Sequence, residues 1–267
     1  MKIGNEFLQA EISTCGGFLT SLKLFGKELL NPRGEHRISF PVIGQPGPLV
    51  IDETSISLPR NGFLPGEDLD IESSDEDKLV LLAPKGSKRL AQFPFDYDLK
   101  ISYEFEEDIL VFKAEITNPT EKTMPFQMGI HNELLVNMEK STIDFKQPET
   151  GFIPADGDFV SPIFQFSRDT TESVIAKDLI EEGQTLVIAA PNHSISLHTG
   201  TGVRVEFRYS SNTIALSRQE GSIAIDPWWG LAPRGAEEDN PLDRETFLKL
   251  PPKSTRTLEA RLRFSLD

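Results

Sequence analysis

Alternation of apolar and polar residues with period two dominates this chain. Tyr97, Leu99, Ile101, Tyr103 and Phe105 alternate with Asp98, Lys100, Ser102 and Glu104. After Glu106, Glu107 and Asp108 the pattern resumes with Leu110, Phe112, Ala114 and Ile116. An apolar residue at every second position gives a strand one core face and one wet face. The two runs and their short acidic connection predict a β-hairpin. The same period appears in Leu8, Ala10 and Ile12, in Val203, Val205, Phe207 and Tyr209, and in Leu258, Ala260, Leu262 and Phe264. Helical periodicity is nearly absent, and its best candidate, residues 173–182, is short. The 19 glycines and 19 prolines are spread along the chain with no linker or shift of composition. These features predict one domain over residues 1–267. Many short strands with frequent turns predict an all-β fold, a large antiparallel sandwich or a barrel.

Three segments carry candidate chemistry. In Thr123 to Leu134, a strand would place Phe126, Met128 and Ile130 toward the core and Gln127, Gly129 and His131 on the other face. Gly129 would let a ligand approach the backbone. His131 on an open face is a natural proton donor or acceptor, since imidazole titrates near physiological pH. The competing reading is a hydrogen-bonded structural histidine. The second segment, Leu58 to Gly66, holds two prolines and two glycines and presents Arg60 and Asn61. Their donors and acceptor suit sugar hydroxyls, although Arg60 could equally pair with a carboxylate. In the third, Gly221 to Leu231, Ile223 and Ile225 take the core face, while Ser222, Ala224 and Asp226 leave space before a carboxylate. Pro227 is expected to end the ladder. Of the adjacent Trp228 and Trp229, one suits the flat face of a sugar and the other a plug in the sandwich end. Residues 232–242 read as a polar rim or lid.

Composition narrows the partners. A formal net charge of −15 argues against nucleic acid and against anionic membranes. No apolar run reaches bilayer length, and the N-terminal residues lack a signal-peptide core, so a cytoplasmic protein is expected. Cys15 is the single cysteine, which excludes an internal disulfide framework. No His or Cys pair has metal-ligand spacing, and no glycine-rich phosphate loop follows a strand; neither metal nor nucleotide cofactor is expected. The cluster Glu237, Glu238 and Asp239 reads as a solvated loop. The oligomeric state is left open.

Several motifs stand in a recognisable order. Cys15-Gly-Gly-Phe-Leu-Thr-Ser-Leu22 is followed by Phe40-Pro-Val-Ile-Gly44, then Leu58-Pro-Arg-Asn-Gly-Phe63. Asn118-Pro119 precedes Met124-Pro-Phe-Gln-Met-Gly-Ile-His131, and Ile225-Asp-Pro-Trp228 comes last. This ordered set resembles the aldose 1-epimerase (galactose mutarotase-like) family, most of all its shorter bacterial branch. The resemblance runs from about residue 5 to the C-terminal strand. It implies the large antiparallel β-sandwich of that family and the interconversion of α and β anomers of a small sugar. By the resemblance, His131 is the acid and Asp226 the base. Arg60, Asn61 and Gln127 bind substrate hydroxyls, and Trp228 covers a sugar face. The two catalytic groups would face one another across a cleft, roughly 5 to 9 Å apart, with a pyranose between them. The chain departs from the family pattern by Asn61 in place of His and Asp226 in place of Glu. Asn cannot carry an imidazolium charge. Asp is one methylene shorter, so its oxygen retreats by roughly 1 to 1.5 Å, a distance to which proton transfer is sensitive. Two alternatives stay open. One is a carbohydrate-binding or sensing protein that kept the cleft. The other is an epimerase of a modified or phosphorylated sugar, served by Arg60, Arg234 and Arg244.

Overall fold

Two large antiparallel sheets dominate the computed structural model of the protein, which describes residues 1–84, 92–145, 152–156, 159–161, 173–189, 194–211, 213–234 and 237–267. The nine-stranded sheet is built around its longest strands, Asp98–Glu106, Ile109–Asn118, Ser254–Leu266 and Val203–Tyr209. The predicted hairpin is there. Asp98–Glu106 pairs with Ile109–Asn118 from Asp98 opposite Thr117 to Glu106 opposite Ile109. Glu107 turns the chain with φ +54°, a left-handed conformation found in tight turns. Its alternating apolar residues are buried. The other runs of period two form the strands Leu8–Ile12, Val203–Tyr209 and Ser254–Leu266.

The eight-stranded sheet carries the chemistry. Its order is Phe159–Val160, Phe152–Asp156, Thr185–Ala189, Thr213–Gln219, Ser222–Trp229, Met128–Asn132 and His36–Ser39; Leu134–Leu135 also pairs with Ser222–Trp229. One apolar cluster draws on both sheets and on the N-terminal strands, from Ile3 to Phe264, and includes Ile130, Ile223, Ile225 and Trp229. Burying this apolar surface is the main force that holds the sheets together. A smaller cluster, with Ile43, Val187, Ala215 and Leu231, lies apart from it and packs against Trp228. Among the described residues no helix is long and apolar enough to cross a membrane.

Two elements differ from the pattern-based expectation. Residues 173–182 give a strand, Ser173–Ile175, then a single helical turn, Ala176–Leu179. Pro227 does not end its strand, which runs on to Trp229 with Pro227 opposite Ile214. A proline needs a place where no ladder donor is required. The neighbouring Met128–Asn132 strand supplies it, since its pairing to Ser222–Trp229 is confined to Met128 and Gly129.

Candidate active site

The gap in that ladder builds the site. Gly129 lies opposite Trp228, and Leu134 lies opposite Ile223. The same register on both sides of the gap puts His131 opposite Asp226. The freed Asn132 N–H donates to Asp226 Oδ1 at 3.3 Å. His131 Nδ1 and Asp226 Oδ2 are 2.6 Å apart, with the imidazole as donor. Asp226 is buried. The other ring nitrogen, Nε2, lies 3.7 Å from Glu133 Oε1. Glu133 is itself buried and tightly held: Ser222 Oγ and Asn31 Nδ2 donate to Oε2 at 2.7 and 3.1 Å, and the Glu35 N–H donates to Oε1 at 3.1 Å.

An imidazole between two carboxylates has a defined charge. Burial pushes the His131 pKa down, but the Asp226 charge and hydrogen bond, helped by Glu133, outweigh it and raise the pKa to about 9. Arg37, directly across the neighbouring strand pairing, opposes the rise. The His131 imidazolium, 3.7 Å from Oε1, holds the Glu133 carboxyl down at about 2, against the effect of burial, and Ser222, the Glu35 amide and Asn31 add to it. His131 is therefore an imidazolium at neutral pH. Its Nε2 side opens on a cleft of about 600 Å³ whose walls include Arg37, Arg60, Glu133, Thr185 and Ser217. That size lies within the range of small-molecule sites. Among the described residues, no group of acidic, His or Cys side chains is arranged to hold a metal ion.

The other expected site residues divide. Arg60 is exposed and on the cleft wall. Asn61 serves its own loop: Oδ1 accepts the Gly44 N–H at 2.9 Å, and its N–H donates to Gly44 O at 2.8 Å. Gln127 is not on an open face. It is fully buried; Oε1 accepts the Ile43 N–H at 2.8 Å, and Nε2 donates to Leu231 O and Thr246 O at 2.5 and 3.0 Å. With every polar atom on backbone, it cannot bind substrate. Gly129 is likewise covered, since a Cβ there would lie 3.2 Å from Trp228 Cδ1 and 3.3 Å from Ile43 Cδ1. Trp228 lines a different recess, with Ser210, Thr213, Arg234 and Arg256, and not the His131 cleft. Trp229 is the interior plug, and its Nε1 donates to Ser210 Oγ at 3.0 Å. Arg244 is buried against Glu237 and the carbonyls of Pro46, Pro48 and Glu238. It holds residues 237–244 in place, and Glu237 is thus a paired residue rather than a solvated one. The expected separation of His131 and Asp226 is also corrected: they touch, because the strand register sets them opposite one another.

Glu133 and Arg37 were not singled out from the sequence. The signal for Glu133 was available, because it continues the alternation of Gly129 and His131. Arg37 had no such signal; only the pairing of His36–Ser39 with Met128–Asn132 brings it to the site.

This architecture is that of the galactose mutarotase-like β-sandwiches. It matches the galactose mutarotase related enzyme of Lactobacillus acidophilus with a TM-score of 0.90 at 17% identity, over 99% of this chain and 97% of that one. A galactose mutarotase-like protein from Lactobacillus casei ATCC 334 matches with a TM-score of 0.88 at 18% identity, over 99% of both. In sequence, residues 1–159 match the Aldose 1-epimerase family, and the chain belongs to that family. The chromosomal LacX protein of Lactococcus lactis subsp. lactis is 27% identical, with 96% of each chain covered.

Proposed function

We propose that the protein is a mutarotase, interconverting the α and β anomers of an aldose by acid–base ring opening. The observation that carries this reading is the imidazolium of His131, fixed through Nδ1 by Asp226 with Nε2 turned toward a polar cleft. Family membership supplies the reaction class. His131 Nε2–H would protonate the ring oxygen while a carboxylate takes the proton of the anomeric hydroxyl. The C1–O5 bond opens, C1–C2 rotates, and reversal of both transfers closes the ring on the other face. General acid–base steps of this kind contribute roughly 10²- to 10⁴-fold each. By the resemblance of Ile225-Asp-Pro-Trp228 to the family motif, Asp226 stands where that motif carries a basic Glu. Here it would orient and charge His131, as a buried carboxylate does for a catalytic histidine elsewhere. Arg60, Arg37, Thr185 and Ser217 would hold hydroxyls. The partner is a small sugar, the setting cytoplasmic, and no metal or nucleotide takes part.

A sugar-binding or sensing role without turnover is the second reading. It is favoured by the engagement of both Asp226 oxygens. Polarimetry of freshly dissolved α-D-galactose and α-D-glucose separates the two. The mutarotase accelerates the approach to equilibrium for at least one of them, equally with and without EDTA. Binding of a sugar without acceleration would establish the second reading.

A further inference from the structure

We infer that Glu133 is the carboxylate that takes the anomeric proton, and that Asp226 acts only through His131. The inference rests on the mutarotase reading above. It starts from where the oxygens point. Asp226 Oδ2 is on His131 Nδ1 and Oδ1 faces the Asn132 amide. Asp226 does not line the cleft, so to reach a sugar there its carboxylate would have to move off the Nδ1–H it holds at 2.6 Å. That donor would be left buried and unsatisfied, which is costly. Glu133 and His131, in contrast, both line the cleft.

Glu133 is built to stay put and to accept one more proton. Oε2 is fixed by Ser222 and Asn31, while Oε1 takes a single donor, the Glu35 amide. A carboxylate oxygen has two lone-pair sites, so Oε1 keeps one for a ligand. Oε1 lies 3.7 Å from His131 Nε2. In a pyranose the ring oxygen and the anomeric oxygen are bonded to the same carbon. An acid and a base that serve them can therefore stand side by side, as these two do. The other charged residues lining the cleft are Arg33, Arg37, paired with Glu35 at 2.6 Å, Arg60 and Glu220.

The transfers balance. The O1–H bond breaks and its proton goes to Glu133 Oε1. The O1 electron pair forms C1=O1, and the C1–O5 pair goes to O5, which takes the Nε2 proton. His131 is left neutral and Glu133 protonated, and the reverse step restores both. The two steps assist one another. The imidazolium is the largest influence holding Glu133 acidic, so Glu133 becomes a stronger base as His131 gives its proton away.

The test is polarimetry on α-D-galactose and α-D-glucose with the wild-type protein, Glu133→Gln, Glu133→Ala and Asp226→Ala, each checked for a retained thermal unfolding transition. For a general base, Glu133→Gln should lose about a hundredfold or more in kcat, with KM within about threefold. Added formate should restore Glu133→Ala by about tenfold, and should not restore Asp226→Ala, whose carboxylate has no path to the sugar. Turnover of Glu133→Gln within about threefold of wild type would overturn the assignment, and so would formate rescue of Asp226→Ala alone. If the Gln and Ala variants fail to fold, Glu133→Asp decides. The charge is kept but its oxygen is withdrawn by one methylene, so a wild-type kcat there would overturn the assignment. A wild-type protein inert toward both sugars would bring down the mutarotase reading and this inference with it. An active wild type with an unaffected Glu133→Gln would bring down this inference alone.

Discussion

The charge of His131 sets the behaviour of the site at the residue scale. Its folded pKa of about 9 lies above the ordinary 6.5. A raised histidine pKa contributes stability that is complete below 6.5 and is lost as pH rises through about 9. A shift of this size corresponds to on the order of 3 kcal/mol. Glu133 works in the opposite direction: held at about 2 from 4.5, it contributes above 4.5 and is lost as pH falls through about 2. The cluster therefore stabilises the fold most between about pH 4.5 and 6.5. Histidine NMR should show His131 titrating near 9 in the wild type and markedly lower in Asp226→Asn. A midpoint near 6.5 in the wild type would contradict the ion pair. Urea unfolding midpoints should fall between pH 7 and 9.5 in the wild type, and much less in His131→Gln. His131 was legible in the sequence because alternation places it off the core face, and the same argument reaches Glu133. The burial of Gln127 was not legible. Its cover comes from Leu231 and Thr246, more than a hundred positions along the chain.

At the scale of elements, the Arg60 loop is held by backbone geometry. Gly62 has φ +74°, and a Cβ on it would lie 2.0 Å from Phe40 O. Asn61 beside it also has positive φ, +63°. Gly62→Ala must push the loop off Phe40 and accept a strained backbone. It should cost about 3 kcal/mol or more in denaturant unfolding, and the mutarotation rate should fall as Arg60 is displaced. A stability within 0.5 kcal/mol of wild type, roughly the size of an innocuous surface change, would contradict the close approach. The hairpin of Asp98–Glu106 and Ile109–Asn118 was legible because its first strand alternates strictly, its second alternates from Leu110 to Ile116 apart from the apolar Val111, and a two-residue acidic turn joins them. The continuation of the strand through Pro227 was not. Whether a proline ends a strand depends on the hydrogen bonds its neighbour asks for, and the neighbour here, Met128–Asn132, is set by the tertiary fold.

On the scale of the whole molecule, the composition and the alternation were enough for an all-β sandwich, and the order of motifs was enough for the family. The order of strands within the sheets was not, since many of the pairings join strands that are not consecutive in the chain. The His131 strand sits between residues 222–229 and residues 36–39. Such non-local pairing is what brings Arg37, Glu133 and Asp226 to one place. The main apolar cluster runs from the first strand to the last, so calorimetry should find one unfolding transition, with the His131 NMR signal lost in the same temperature range. Two separated transitions would contradict a single domain over residues 1–267.

The pH dependence of kcat/KM for mutarotation, followed by polarimetry from pH 5 to 10.5 in the wild type and in His131→Ala, bears most directly on an imidazolium acid. This ratio reports the ionisations of the free enzyme. The wild-type rate should hold up to about pH 8 and fall through about 9, as His131 loses its proton. His131→Ala should be slower by roughly a hundredfold or more, the usual contribution of a general acid, and should lack that alkaline limb. A wild-type profile still flat at pH 10.5, or a His131→Ala variant that keeps both the rate and the limb, would contradict it.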